Sequence, residues 1–290
     1  MRIHHLSCGT MCPIGGRLWD GHSPVLGPAT IVCHCLLIET EIGLVLVDTG
    51  FGMRDVAQPG RLSPLFRFAN RVRLRQSDTA LRQVEDLGFA ESDVRHIVLT
   101  HLDFDHAGGI EDFPDATVHV LGAELDAARS QNGWLDRQRY RQTQWDRNVN
   151  WQCYTPEGER WFGFSCVREL VGIPPEILMV PLAGHTLGHC GVAVRGEDGW
   201  LLHAGDAYFF RGEMALGGYS CTPMLRAYQR VMAANNETRL NNQTRLRELK
   251  RAHGREIRLF CAHDSKELEA FSSARLELAP VIAPPLAAPA

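Results

Sequence analysis

The chain has 290 residues, 44% of them hydrophobic and 22% charged, with a formal net charge of −4. That is an ordinary globular composition, and the mildly acidic balance argues against nucleic acid or an anionic membrane as partner. No stretch approaches the roughly 20 apolar residues of a membrane span, and "MRIHHLSCGTMCPIGG" at the start lacks the apolar run of a secretory signal. Nine cysteines, an odd number with no C-x-x-C spacing, point to a reduced cytoplasmic protein.

Taken in order, the first clear elements are "TIVCHCLLIE" (30–39) and "GLVLVDTG" (43–50), two antiparallel strands joined by a turn at 41–43. Upstream of them, "SCGTMCP" (7–13) reads as a first strand with a turn or as the rim of a pocket. Residues 79–88 have helical spacing and a glycine stop. They lead into the strand "HIVLT" (96–100), and "TVHVLGAELDAARS" (117–130) reads strand, turn, helix. A second set comprises 177–184, a hairpin over 190–206 turning at Gly196–Gly199, a helical region over 222–253 and a strand in "EIRLFCAHD" (256–264). The basic helix 239–253 reads as a solvated face. Two strand-then-helix halves predict two packed sheets with helices outside. The expected organisation is one domain over 1–277 and a Pro/Ala-rich tail, "LAPVIAPPLAAPA", over 278–290.

Two segments break the pattern. Residues 53–78 are basic and apolar and suit a lid or a homodimer contact. Residues 131–169 hold Trp134, Tyr140, Trp145, Trp151, Tyr154, Trp161, Phe162 and Phe164. Such aromatic density fits a pocket wall or a satellite core equally well.

The chemistry is concentrated in "THLDFDHAGG", residues 100–109, directly behind an apolar strand. His101, Asp103 and Asp105 alternate with Leu102 and Phe104, so in extended backbone the polar groups share one side and the apolar pair anchors the loop. Unpaired, such groups cost about 1–3 kcal/mol each. A divalent metal removes that cost, because imidazole and carboxylate are ligands for zinc, iron or manganese. Three other strand ends offer more donors: His185 in "PLAGHTLGH", Asp206 in "LLHAGD" and His263 in "RLFCAHD". With His106 these make four histidines and three aspartates, enough for two ions.

These motifs, together with "VDTG" at 47–50, resemble the metallo-β-lactamase-fold metallohydrolases, with a likeness running from about residue 30 to 264. The resemblance implies an α/β fold, an αββα sandwich of two mixed sheets packed face to face, with the metals at one edge. It assigns one ion to His101, position 103 and His185, the other to Asp105, His106 and His263, with Asp206 bridging. Asp48 is expected to support the ligand loop. The sequence departs from the family's HxHxDH pattern at Asp103, where most members have histidine. Two divalent ions balance Asp103, Asp105, Asp206 and a hydroxide, so two ions are expected, zinc first and manganese or iron as alternatives.

The implied chemistry is hydrolysis by a metal-activated water whose pKa falls toward about 7, with Asp105 handling a proton. No G-x-S-x-G nucleophile motif is present. The substrate expected is a small ester, a lactone first, from the likeness to acyl-homoserine-lactone hydrolases. A glyoxalase-type thioesterase, a mononuclear iron oxygenase and a non-catalytic metal-binding regulator are the rivals. Tyr208 is a candidate oxyanion donor, although in the lactone-hydrolysing branch the tyrosine lies one residue further on, where this chain has Phe209. A packed core tyrosine is the preferred reading of Tyr208. His189 is expected to support the ligands rather than join them, and His203 and His34 to be core groups. Asp264 could orient a histidine or cap a turn.

Overall fold

The structure is a computed structural model describing residues 1–145, 148–164 and 168–273. Its strands are β1 (Arg2–Met11), β2 (Ile31–Thr40), β3 (Gly43–Val47), β4 (Val94–Val98), β5 (Thr117–Leu121), β6 (Asn150–Tyr154), β7 (Arg168–Glu169), β8 (Ile177–Pro181), β9 (Cys190–Gly196), β10 (Gly199–His203) and β11 (Ile257–Phe260). The α-helices are α1 (Arg17–Asp20), α2 (Met53–Ala57), α3 (Pro64–Asn70), α4 (Ala80–Asp86), α5 (Gly122–Ser130), α6 (Trp134–Arg139), α7 (Pro223–Met232), α8 (Asn236–His253) and α9 (Ser265–Ser273). The domain boundary expected at 277/278 and the tail over 278–290 lie outside the described residues.

Strands β1 to β6 form one sheet in sequence order, and a second sheet runs β11-β10-β9-β8-β7. Both are mixed: β1, β2 and β3 pair antiparallel while β3 to β6 run parallel, and β10 pairs antiparallel with β9 but parallel with β11.

Why these strands are apolar on both sides follows from the layering. Leu36, Ile38, Val45 and Val47 share one buried cluster with Met179, Val192, Val194 and Phe260 of the other sheet. The alternate residues Leu37, Leu44 and Leu46 pack outward with Val84 of α4 and Leu125 of α5. On the far side, Leu178, Val180 and Leu202 pack with Leu246 and Leu249 of α8. Two sheets face each other with helices outside, as the sequence implied.

The irregular segments resolve into structure. Within 131–169, Tyr140 and Trp145 join the core outside the first sheet, and Trp161 and Phe164 the core outside the second. Strand β6 extends the first sheet beside β5. These rings therefore extend the cores on the outer faces of the two sheets rather than forming a satellite core, although Trp134 is 60% exposed. Within 53–78, Phe66 packs its ring 4.0 Å from that of Phe104, while Leu65 and Phe68 are exposed.

The helical region 222–253 divides in two. Pro223 opens α7, and Asn235 caps α8 by accepting a 3.0 Å bond from the Thr238 N–H. Residues 233–235 between them are tied to the loop carrying His185: the N–H groups of Ala234 and Asn235 donate to the carbonyls of His185 and Gly184, both at 2.9 Å. Among the described residues no helix is long and apolar enough to cross a membrane.

Candidate metal centre

The ligand loop follows β4. It is a turn rather than a continued strand: the N–H groups of His106 and Ala107 both donate to the Asp103 carbonyl, at 2.9 and 3.0 Å. The anchoring role of Leu102 and Phe104 holds, since both are buried. After His106 the chain enters a short 3₁₀ turn at Ile110–Asp112.

Asp48, on the neighbouring strand end, organises this loop. It adopts φ 55°, a conformation that costs a non-glycine residue energy and concentrates at functional sites. Its carboxylate accepts from the N–H and hydroxyl of Thr100, each at 2.8 Å, and from His106 Nδ1 at 2.8 Å. That last bond fixes the His106 tautomer and turns Nε2 toward the cluster.

Asp206 stands at the centre of the remaining donors. One carboxylate oxygen, Oδ1, lies 3.1 Å from His263 Nε2 and 3.4 Å from His106 Nε2. The other, Oδ2, lies 3.3 Å from His185 Nε2 and 3.8 Å from His101 Nε2. The ligand atoms of His106, Asp206 and His263 all lie within 4.8 Å of one another, as do those of His101, His185 and Asp206. Asp105 adds a carboxylate oxygen 3.7 Å from His263 Nε2. His263 is oriented by its Nδ1, which donates to the Val32 carbonyl at 2.7 Å.

The donor chemistry fits a divalent cation. His101 Nε2 and Asp206 Oδ1 are buried and have no hydrogen-bond partner among the described residues. Burial, and then the neighbouring His106, push the His101 imidazole down to about 4, so it is a neutral donor at pH 7. Burial opposes a charge on His106, yet Asp206 and Asp48 outweigh it and lift this group to about 10. A cation answers the same negative field and displaces the proton.

Asp103 differs from the other six. Its side chain forms a bidentate pair with the buried Arg139 of α6, Nε to Oδ1 and Nη2 to Oδ2, both at 2.7 Å. Burial would raise the Asp103 carboxyl, but the guanidinium holds it well below the usual range.

Tyr208 is not brought into the centre. Its ring is fully buried in the cluster with Met214 and Leu246, and its hydroxyl donates to the Glu267 carboxylate at 3.1 Å. Strand-end geometry sends Phe209 to the site instead, stacked on His263 with ring centres 4.8 Å apart. The supporting histidines lie as expected: His189 Nε2 accepts the Asp206 N–H at 2.8 Å, and His203 Nε2 donates to the His34 carbonyl. Asp264 caps the start of α9, accepting from the Lys266 N–H at 2.9 Å, and pairs with Arg211.

Three residues near the centre escaped the sequence reading. Arg139 lay in the aromatic segment, with nothing local to separate it from surface arginines. Cys33 is buried and its thiol lies within 4.8 Å of the Asp105 and His263 donor atoms. Tyr228, on α7, lines the cleft with Trp19, Phe209, Leu225, Asp105 and His263. Burial, followed by the carboxylates of Asp105, Asp103 and Asp206, raises its phenol well above the ordinary value, so it remains a proton donor.

A model of the metallo-beta-lactamase superfamily matches residues 30–254. A probable metallo-hydrolase of Mycobacterium tuberculosis is 43% identical over 264 residues, 91% of this chain and 80% of that protein. The N-acyl homoserine lactonase AiiA of Bacillus thuringiensis subsp. kurstaki is 25% identical over 228 residues, 74% of this chain and 84% of the relative. Among solved structures, an N-acyl homoserine lactone hydrolase with N-hexanoyl-L-homoserine at its catalytic metal centre superposes with a TM-score of 0.68 at 20% identity, covering 92% of this chain and 95% of the other. At that identity the likeness speaks for the fold.

Proposed function

This chain belongs to the metallo-β-lactamase superfamily, as a metallohydrolase related to the N-acyl homoserine lactonases, and on that premise we propose that it hydrolyses a small carboxylic ester, a lactone first. The observation that carries the reading is Asp206, whose carboxylate lies among the Nε2 atoms of His101, His106, His185 and His263, with His263 3.1 Å from Oδ1 and 3.2 Å from Oδ2.

His106, His263, Asp105 and Asp206 would hold a divalent ion, zinc in the first instance with manganese or iron as alternatives. When bound, such an ion supplies Lewis acidity and a nucleophile ionised near neutral pH. The protein's own groups do the rest. Asp105 accepts and returns a proton beside the reacting carbonyl. Tyr228 donates a hydrogen bond to the oxygen on which charge develops. Trp19, Leu225 and Phe209 give the cleft an apolar wall against which an acyl group is held and water is excluded.

A panel of acyl lactones, thioesters and phosphotriesters, run with metal supplied and with chelator, tests the proposal. Metal-dependent ring opening of a lactone is expected. Fully metal-loaded protein that cleaves thioesters but no lactone would favour the glyoxalase-type reading. The pairing of Asp103 with Arg139 favours, as a second reading, an iron-dependent oxygenase. Oxygen uptake by the iron-loaded protein would identify that reading.

A further inference from the structure

Arg139 is 2% exposed and ends α6 inside the half of the centre that would carry a first ion. A guanidinium has five N–H bonds and accepts none. Five acceptors surround it here: Asp103 Oδ1 and Oδ2, each at 2.7 Å, His185 Nε2 at 2.7 Å, the His185 carbonyl at 3.2 Å and the Met232 carbonyl at 2.9 Å. Arg139 only donates, so its 2.7 Å contact with His185 Nε2 draws on that nitrogen's lone pair, and the same Nε2 also lies 3.1 Å from Asp103 Oδ2. That is the same lone pair a metal would use. Met232 is the last residue of α7, so its carbonyl is one that the helix leaves without a partner.

We propose that the Arg139 guanidinium takes the place of the first metal ion, so that the protein holds a single divalent cation at His106, Asp105, Asp206 and His263. Carboxylate, imidazole and carbonyls are the donors a cation would gather, and here they gather around a covalently tethered one. His101, His185 and Asp206 still lie close enough to frame an ion. An ion there, however, competes with Arg139 for His185 and stands beside a fixed positive charge in a buried site, where like charges repel strongly. Before any water is ionised the charges balance without it: Arg139 neutralises Asp103, and one divalent ion matches Asp105 and Asp206. This departs from the two-ion expectation, which counted Asp103 as a ligand and knew of no cation beside it. The proposal does not depend on which ester is cleaved.

The test is metal stoichiometry. Wild-type protein is loaded with excess manganese, freed of unbound ion by gel filtration, and measured by elemental analysis and electron paramagnetic resonance. One manganese per chain with an uncoupled Mn(II) spectrum is expected. Two per chain with a spin-coupled spectrum overturns the proposal. In Arg139→Ala, Asp103 and His185 are released and a second equivalent is expected. A folded Arg139→Ala that still binds one ion overturns the claim that Arg139 excludes the other. Asp103→Asn is expected to retain its ion, and loss of an ion there would make Asp103 a ligand. The wild-type measurement decides the number by itself should either variant fail to fold.

Discussion

The backbone N–H of Asp206 donates to Nε2 of His189 at 2.8 Å, and Nδ1 of the same imidazole donates to the Leu182 carbonyl at 3.0 Å. This histidine is a neutral strut between the chain segments that follow β8 and β10 of one sheet. Burial, and then the nearby His101 and His185, keep it far below its ordinary value. Gly205 is part of the arrangement: it adopts φ 54°, and a Cβ there would lie 2.6 Å from the His189 ring, so only glycine lets the turn close on the imidazole. Removing the strut in His189→Ala is expected to weaken metal binding about 10- to 100-fold, as loss of a ligand-orienting partner does. Competition with a chromogenic chelator measures it. Unchanged affinity would show that the turn holds Asp206 without help.

Asp206→Asn should lower metal occupancy and hydrolysis together. The carboxylate faces four imidazoles, and an amide offers one oxygen and no charge. Elemental analysis beside an activity assay checks the pairing. Full activity at normal occupancy would remove Asp206 from the centre.

Tyr228→Phe separates positioning from metal binding. The ring still fills the cleft beside Trp19 and Phe209, so metal content should be unchanged. If the hydroxyl meets the developing charge, kcat falls by about 10²-fold, the usual loss for one such donor. An unaltered kcat would return Tyr228 to the pocket wall.

Asp112 gives a pH signature away from the metal centre. Burial raises its carboxyl to about 7. Asp55 and Glu111 add to the rise, against the Met53 N–H and Arg61. The unfolded value is about 3.9, so between about pH 4 and 7 the native state binds more protons than the unfolded chain. Stability from this group is therefore lost as pH rises through that window. Asp112→Asn keeps an oxygen for the Met53 N–H, bonded at 2.9 Å in the native protein, and carries no charge. Thermal melts should show the variant gaining on wild type as pH rises from 4 to 8. A difference that does not vary with pH would contradict the assignment.

What the sequence determined by itself was the set of strand-end donors and the layered frame that carries them. His101, His185, Asp206 and His263 come just after apolar runs, and Asp105 and His106 follow His101 in the same loop, so local pattern announces them, and the buried strands alternate between two cores with period two. What only the tertiary structure decided was how the site is completed. Arg139 meets Asp103 across 36 residues and His185 across 46, and Tyr228 comes from a helix in the second half of the chain. An arginine or a tyrosine on an amphipathic helix looks the same in sequence whether it faces water or a buried carboxylate. Tyr208 and Phe209 show the same limit, because a one-residue step at a strand end sends one side chain into the core and the other over His263. Local spacing encodes which groups lie at an edge, whereas the packing of separate elements sets what they face.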